Sequence, residues 1–89
     1  MEFEWSETKR LAVLAARQLD FLEARWLFDD RPLLSAPSPR GAEERWVSIG
    51  ELDYQMIAVI WTWRGAAIRI ITMRKARDEE KRRYSALYG

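Results

Sequence analysis

Three arginines at regular intervals, Arg64, Arg69 and Arg74, are the residues of this chain best suited to chemistry. A guanidinium is planar, stays charged, and meets two phosphate oxygens at once, so closely spaced arginines suit binding or neutralising a phosphate. They belong to a wider imbalance. Eight of the fifteen Lys and Arg residues lie between Arg64 and Arg83, with only Asp78, Glu79 and Glu80 against them. Residues 64–89 thus carry a net +5 and residues 1–63 a net −4, which the formal total of +1 conceals. Local field rather than total charge attracts a polyanion. Other chemistries are excluded by composition. With no Cys there is no disulfide and no thiolate metal site, and with no His there is no imidazole acid–base catalysis, catalytic triad or His-ligated metal. No cofactor and no metal is expected.

The elements that must position these arginines follow from periodicity. A chain of 89 residues is one domain, residues 1–89, and its 48% apolar content is that of a globular protein. Glu2-Phe3-Glu4-Trp5 alternates with period two and reads as a short strand. Ser6 is a plausible N-cap for a helix reaching about Arg17, with Leu11, Leu14, Ala15 and Leu19 as its buried stripe. Asp20 to Glu23 has capping-box spacing and opens a second helix, which turns Phe21, Ala24, Leu27 and Phe28 to the core. Leu33–Ser35 suits a short strand, and Ala36–Ala42, with Pro37, Pro39 and Gly41, reads as a loop.

Arg45–Ile49 is a strand with Arg45, Val47 and Ile49 on one face and Trp46 and Ser48 on the other. Tyr54–Trp63 lacks charge, as a central strand covered on both faces should. Arg64-Gly65 marks a turn, Ala67–Met73 returns, and a charged helix begins near Ala76. The expected architecture is α+β: an N-terminal strand and two helices, a three- to four-stranded antiparallel sheet, and a C-terminal helix. No apolar run is long enough to span a membrane, and Met1–Trp5 is unlike a signal peptide, so a cytoplasmic protein is expected.

The order of certain blocks resembles the BrnT family, the toxin half of the BrnT/BrnA type II toxin–antitoxin systems of bacteria. The blocks are Met1-Glu2-Phe3-Glu4-Trp5, Phe21-Leu22-Glu23-Ala24, Leu27-Phe28-Asp29-Asp30, Glu43 to Gly50, Thr62 to Ile71, Arg74-Lys75-Ala76, Glu80 and Tyr84. The resemblance implies a RelE-like fold and a ribonuclease that stops translation. It also implies a ribbon-helix-helix antitoxin, similar to BrnA, as the partner and as the only route to DNA. The chain departs from the family at Val13 and at Ala16-Arg17-Gln18, where an Asn and a Lys-His-Gly are common. Arg17 keeps a positive charge but cannot exchange a proton near neutrality.

For such a ribonuclease, metal-free cleavage needs the ribose 2′-oxygen aligned on its phosphate and the developing charge neutralised. Arg64, Arg69 and Arg74 are the candidates for that neutralisation. Convergence of Arg69 and Arg74 requires a bulge, because their separation gives them opposite strand parity. Glu44 is the acid chosen as proton acceptor, with cross-strand ion pairing as its alternative role. Tyr84 and Lys75 are possible donors to the leaving oxygen. Arg45, Lys75, Arg77 and Trp63 are the candidate RNA contacts, Trp63 through base stacking. Arg69 between Ile68 and Ile70 faces either an open surface or an internal partner, with Glu44 a possible one. The charges of the last helix also fit ordinary intrahelical pairing.

Overall fold

The computed structural model describes residues 1–38 and 44–89. Its centre is a sheet ordered β1-β5-β4-β3-β2, formed by β1 (Phe3–Glu4), β2 (Leu34–Ser38), β3 (Arg45–Leu52), β4 (Gln55–Arg64) and β5 (Ala67–Lys75). Helices α1 (Glu7–Arg17) and α2 (Asp78–Tyr88) and a 3₁₀ helix (Phe21–Phe28) complete the fold. The α+β class is as expected, but the sheet is larger and mixed. The N-terminal strand joins it in parallel, pairing Phe3 with Ile68 and Glu4 with Arg69. A two-residue strand gives too little sequence to announce a partner more than sixty positions away.

The two hairpins follow from local chemistry. Asp53 and Tyr54 both have positive φ and join Leu52 to Gln55, the two-residue turn whose twist matches its strands. Gly65, at φ 61°, opens the two-residue turn between Arg64 and Ala67. β2 corrects the expectation of a loop from Ala36, because Ala36, Pro37 and Ser38 pair with Val47, Trp46 and Arg45. Pro37 is tolerated because β2 is an edge strand. Pro39, Gly41 and Ala42, the rest of that stretch, lie outside the described residues.

One face of the sheet carries the main core. Ile57, Val59 and Trp61 of β4 and Ile68, Ile70 and Met73 of β5 pack against Val13, Leu19, Phe21, Ala24 and Leu27. The second helix is 3₁₀ rather than α, started by Asp20, whose carboxylate accepts the Leu22 N–H at 3.0 Å. It still buries Phe21, Ala24 and Leu27 as expected. Its close approach depends on Gly50, where a Cβ would lie 3.0 Å from the side-chain tips of both Leu27 and Leu33. α1 is capped by Ser6, but only part of its expected stripe is buried, Leu19 fully and Leu14 by half. Leu11 is 51% exposed and Ala15 is exposed, while Val13 is the buried residue of this helix. The helix lies along β5, so the direction of burial is set by that strand's edge and not by the densest row of leucines.

The opposite face is only half covered. α2 lies against β3, where Ile49, Ala58 and Ala76 pack with Met56 and Tyr84. No residue of α2 itself is buried. The Tyr84 and Tyr88 hydroxyls fasten it by donating to the carbonyls of Pro32 and Leu33 at 3.3 and 3.2 Å. Beyond α2 the same face stays open, and the arginines gather there.

Candidate nucleic-acid interface

The open half of the sheet is a groove of about 590 Å³. Its floor is aliphatic, with Leu34, Val47, Ile49, Ile60 and Ile71, and its walls hold Lys9, Arg17, Arg45, Arg74, Arg77 and Arg83. Glu80 is the one carboxylate among the groove's described lining residues. Six cations around an apolar strip give a surface that attracts a polyanion and still offers area for flat or aliphatic groups.

A β-bulge makes this arrangement possible. Ile60 pairs with Thr72 and Trp61 with Ile70, so Ile71 is the extra residue. An extra residue reverses the alternation of the strand beyond it. Arg69 and Arg74, of opposite parity in sequence, therefore lie on the same face, opposite Thr62 and Ala58 of β4. Those partners are four residues apart, which separates the two arginines by about 13 Å along the strand. The arginines share a face, but each side chain is held by a different carboxylate, Arg69 by Glu4 and Arg74 by Glu80.

They form instead the ends of two clusters. At one end Arg69 Nη1 lies 3.3 Å and Arg64 Nε 3.9 Å from the Glu4 carboxylate. The partner of Arg69 is thus Glu4 and not Glu44. Thr62, paired with Arg69, donates its hydroxyl to the Glu44 carbonyl at 2.6 Å. Arg45 follows Glu44 on the groove side of β3, so Arg45, Thr62 and Arg69 form a row across three strands. Arg45 and Arg69 are about 10 Å apart by strand spacing. Glu44 is exposed where β3 begins.

At the other end Arg74 is held by Glu80, with Nη1 and Nη2 donating to the two carboxylate oxygens at 2.7 and 2.9 Å. This contact holds the Glu80 carboxyl below its usual range, with help from the Arg77 N–H that also donates to it at 2.8 Å. Arg17 completes the cluster from α1, donating to the Met73 carbonyl at 2.7 Å and reaching the Thr72 hydroxyl at 3.4 Å. β1 pairs with β5 only at Ile68 and Arg69, so Arg17 satisfies a carbonyl on the unpaired edge beyond.

The remaining candidates lie elsewhere. Trp63 pairs with Ile68 and Lys75 with Ile57, which places both on the core side of the sheet and away from the groove. Trp63 is 51% exposed and packs edge-on against Trp61 at 5.2 Å between ring centres. The Tyr84 hydroxyl is committed to Pro32. On α2, Arg83 pairs with Glu79 and Lys81 with Asp78, the intrahelical pairing anticipated from spacing.

Sequence reasoning missed Glu4, Lys9 and Arg17 as members of this site. Glu4 arrives by the parallel pairing of β1, and Lys9 and Arg17, eight positions and about 80° apart around α1, both line the groove from that helix. That spacing was a usable signal, but the edge it faces was not visible. The positions that depart from the family pattern have structural roles here. Val13 is in the core, Arg17 bonds the β5 edge, and Gln18 ends α1 at φ 59°, a conformation that favours glycine.

Residues 5–80 match the family model described as the ribonuclease toxin, BrnT, of a type II toxin–antitoxin system. No curated protein matches the chain.

Proposed function

Because the chain belongs to the BrnT family of type II ribonuclease toxins, we propose that it cleaves RNA in the groove on the open face of its sheet, without a metal. The observation that carries this reading is the concentration of six cationic side chains on that face, with Arg64 and Arg69 at its end. In the proposed step the ribose 2′-oxygen attacks the adjacent phosphorus in line, the bond to the 5′-oxygen breaks, and a 2′,3′-cyclic phosphate forms. Arg64 and Arg69 neutralise charge on the phosphoryl oxygens, while Arg45 holds the chain from across the row. The 2′ proton passes to a carboxylate bordering the row, Glu44 or Glu4, and the departing 5′-oxygen takes a proton from solvent in this open groove. Arg74, Arg77 and Arg17 bind the backbone farther along, and Lys75 and Trp63 meet RNA that leaves the groove around the sheet.

The wider reading is a RelE-like domain, acting in the cytoplasm to inhibit translation and silenced by a ribbon-helix-helix antitoxin that also contacts DNA. A partner that covers this groove should present carboxylates to its walls and apolar side chains to its floor, so its affinity should fall with salt. A second reading is a non-catalytic relative that binds the antitoxin and RNA. The lack of any histidine favours it, since no imidazole is available to move a proton at neutral pH.

Tightly controlled expression in bacteria separates the two readings, with wild type beside Arg64→Ala/Arg69→Ala and total RNA examined on a gel. Growth arrest and RNA fragments with wild type alone support an arginine-dependent ribonuclease. Normal growth and intact RNA, from soluble folded protein, refute it in favour of the binding reading.

A further inference from the structure

We propose that Glu80 occupies, in the free protein, the position of an RNA phosphate on Arg74, so that substrate must displace it to use the full groove. The inference rests on the RNA reading above and adds a specific competitor inside the site. Three observations support it. The Glu80 carboxylate takes both terminal nitrogens of the Arg74 guanidinium, at 2.7 and 2.9 Å, the two-point contact that a phosphate would make. Both partners line the groove, with side chains 21% and 17% exposed, so an incoming anion can reach the pair. Glu80 is also a half-buried residue in the first turn of α2, so its side chain can swing aside, giving up the Arg77 N–H, while Tyr84 keeps the helix packed on the sheet.

The consequence for binding is quantitative. An arginine held at two points by an internal carboxylate, as Arg74 is by Glu80, gains little from a phosphate until that carboxylate leaves, and releases few counterions on binding it. Removing the carboxylate's charge restores one phosphate contact, and for a single strand each contact steepens the dependence of log K on log salt by about 0.7. The affinity gain at fixed salt should be about three- to tenfold, the range expected for one partly exposed pair. Glu80→Gln is the suitable change, because the amide oxygen can still accept the Arg77 N–H at the start of α2. Glu80→Asp keeps the charge but is too short for the two-point contact, and serves if the glutamine variant folds poorly.

The test is fluorescence anisotropy of a 2′-O-methyl single-stranded oligoribonucleotide, which cannot be cleaved, over a salt series. The proteins are wild type, Glu80→Gln, Glu80→Asp, Arg74→Gln and the Arg74→Gln/Glu80→Gln double variant, with folding checked by circular dichroism. The proposal expects a tighter and steeper Glu80→Gln, a smaller gain for Glu80→Asp, and no gain in the double variant over Arg74→Gln. Wild-type slope and affinity in Glu80→Gln would overturn it. So would a gain that survives in the double variant, because the effect would then be general charge and not release of Arg74. If wild type shows no salt-dependent RNA binding, the RNA reading and this inference fall together.

Discussion

Ser48 is the polar residue on which the core side of the sheet can be tested most sharply. It is fully buried, and its Oγ accepts the Trp61 indole N–H at 2.8 Å and shares a hydrogen bond with Ser35 Oγ at 2.7 Å. Trp61 is itself only 6% exposed and is enclosed by Phe28, Trp46 and Trp63. Ser48→Ala therefore leaves a buried indole N–H facing a methyl group with little access to water. Orphaning such a donor costs about 1–3 kcal/mol. The Ser35 hydroxyl is on an exposed residue and recovers its bond from solvent. For a domain of this size each kcal/mol lowers Tm by about 4–8 °C.

The control is Trp61→Phe, which has no N–H to orphan and costs about 1–2 kcal/mol through lost ring burial. In that background Ser48→Ala should cost at least ~1 kcal/mol less than in wild type, because both polar partners are then gone. Urea unfolding followed by far-ultraviolet circular dichroism measures all four proteins without relying on the altered tryptophan. A Ser48→Ala cost within ~0.5 kcal/mol of zero, or the same cost in both backgrounds, would refute the reasoning.

Two further perturbations follow from local geometry and charge. Tyr54 is 94% exposed at φ 65°, and Gln18 ends α1 at φ 59°; replacing either by Gly should add about 0.5–1 kcal/mol of stability, read as a higher urea midpoint, since glycine adopts this conformation without a Cβ clash. Failure of both to stabilise would contradict the assigned turns. The Glu80 carboxyl is held down mainly by Arg74 and that of Glu7 mainly by Arg10, both from an ordinary value of 4.5. A lowered carboxyl contributes stability above its unfolded value and loses it as pH falls through the folded one. Tm should therefore decline on acidification below about pH 4.5, and Glu80→Gln should show a shallower decline. Equal declines in the two proteins would remove Glu80 from that account.

Much of the fold was legible because it is encoded at short range. Ser6 and Asp20 mark their helices because capping is decided within three or four residues. Gly65 marks its turn because only one residue type adopts that φ without cost. The alternation of Arg45, Val47 and Ile49 with Trp46 and Ser48 assigned the faces of β3, because side chains on a strand have period two. The same local logic identified the cationic C-terminal third, and Arg45, Arg74 and Arg77 do line the groove.

What remained hidden depends on which strand lies beside which. The parallel pairing of Phe3-Glu4 with Ile68-Arg69 brings a carboxylate to Arg64 and Arg69 from about sixty positions away. The extra residue at Ile71 reverses strand parity, and no local pattern announces it, since Ile70-Ile71 reads equally well as uninterrupted strand. α1 runs along an edge that β1 leaves unpaired, which turns Arg17 toward the Met73 carbonyl and Val13 toward the core. Residue types and their periodicity determined the α+β class, most of the separate strands and helices, and the sign of the charge. Pairing across distant segments decided which charges meet, because a hydrogen-bonded edge accepts any strand and only the packed whole selects one.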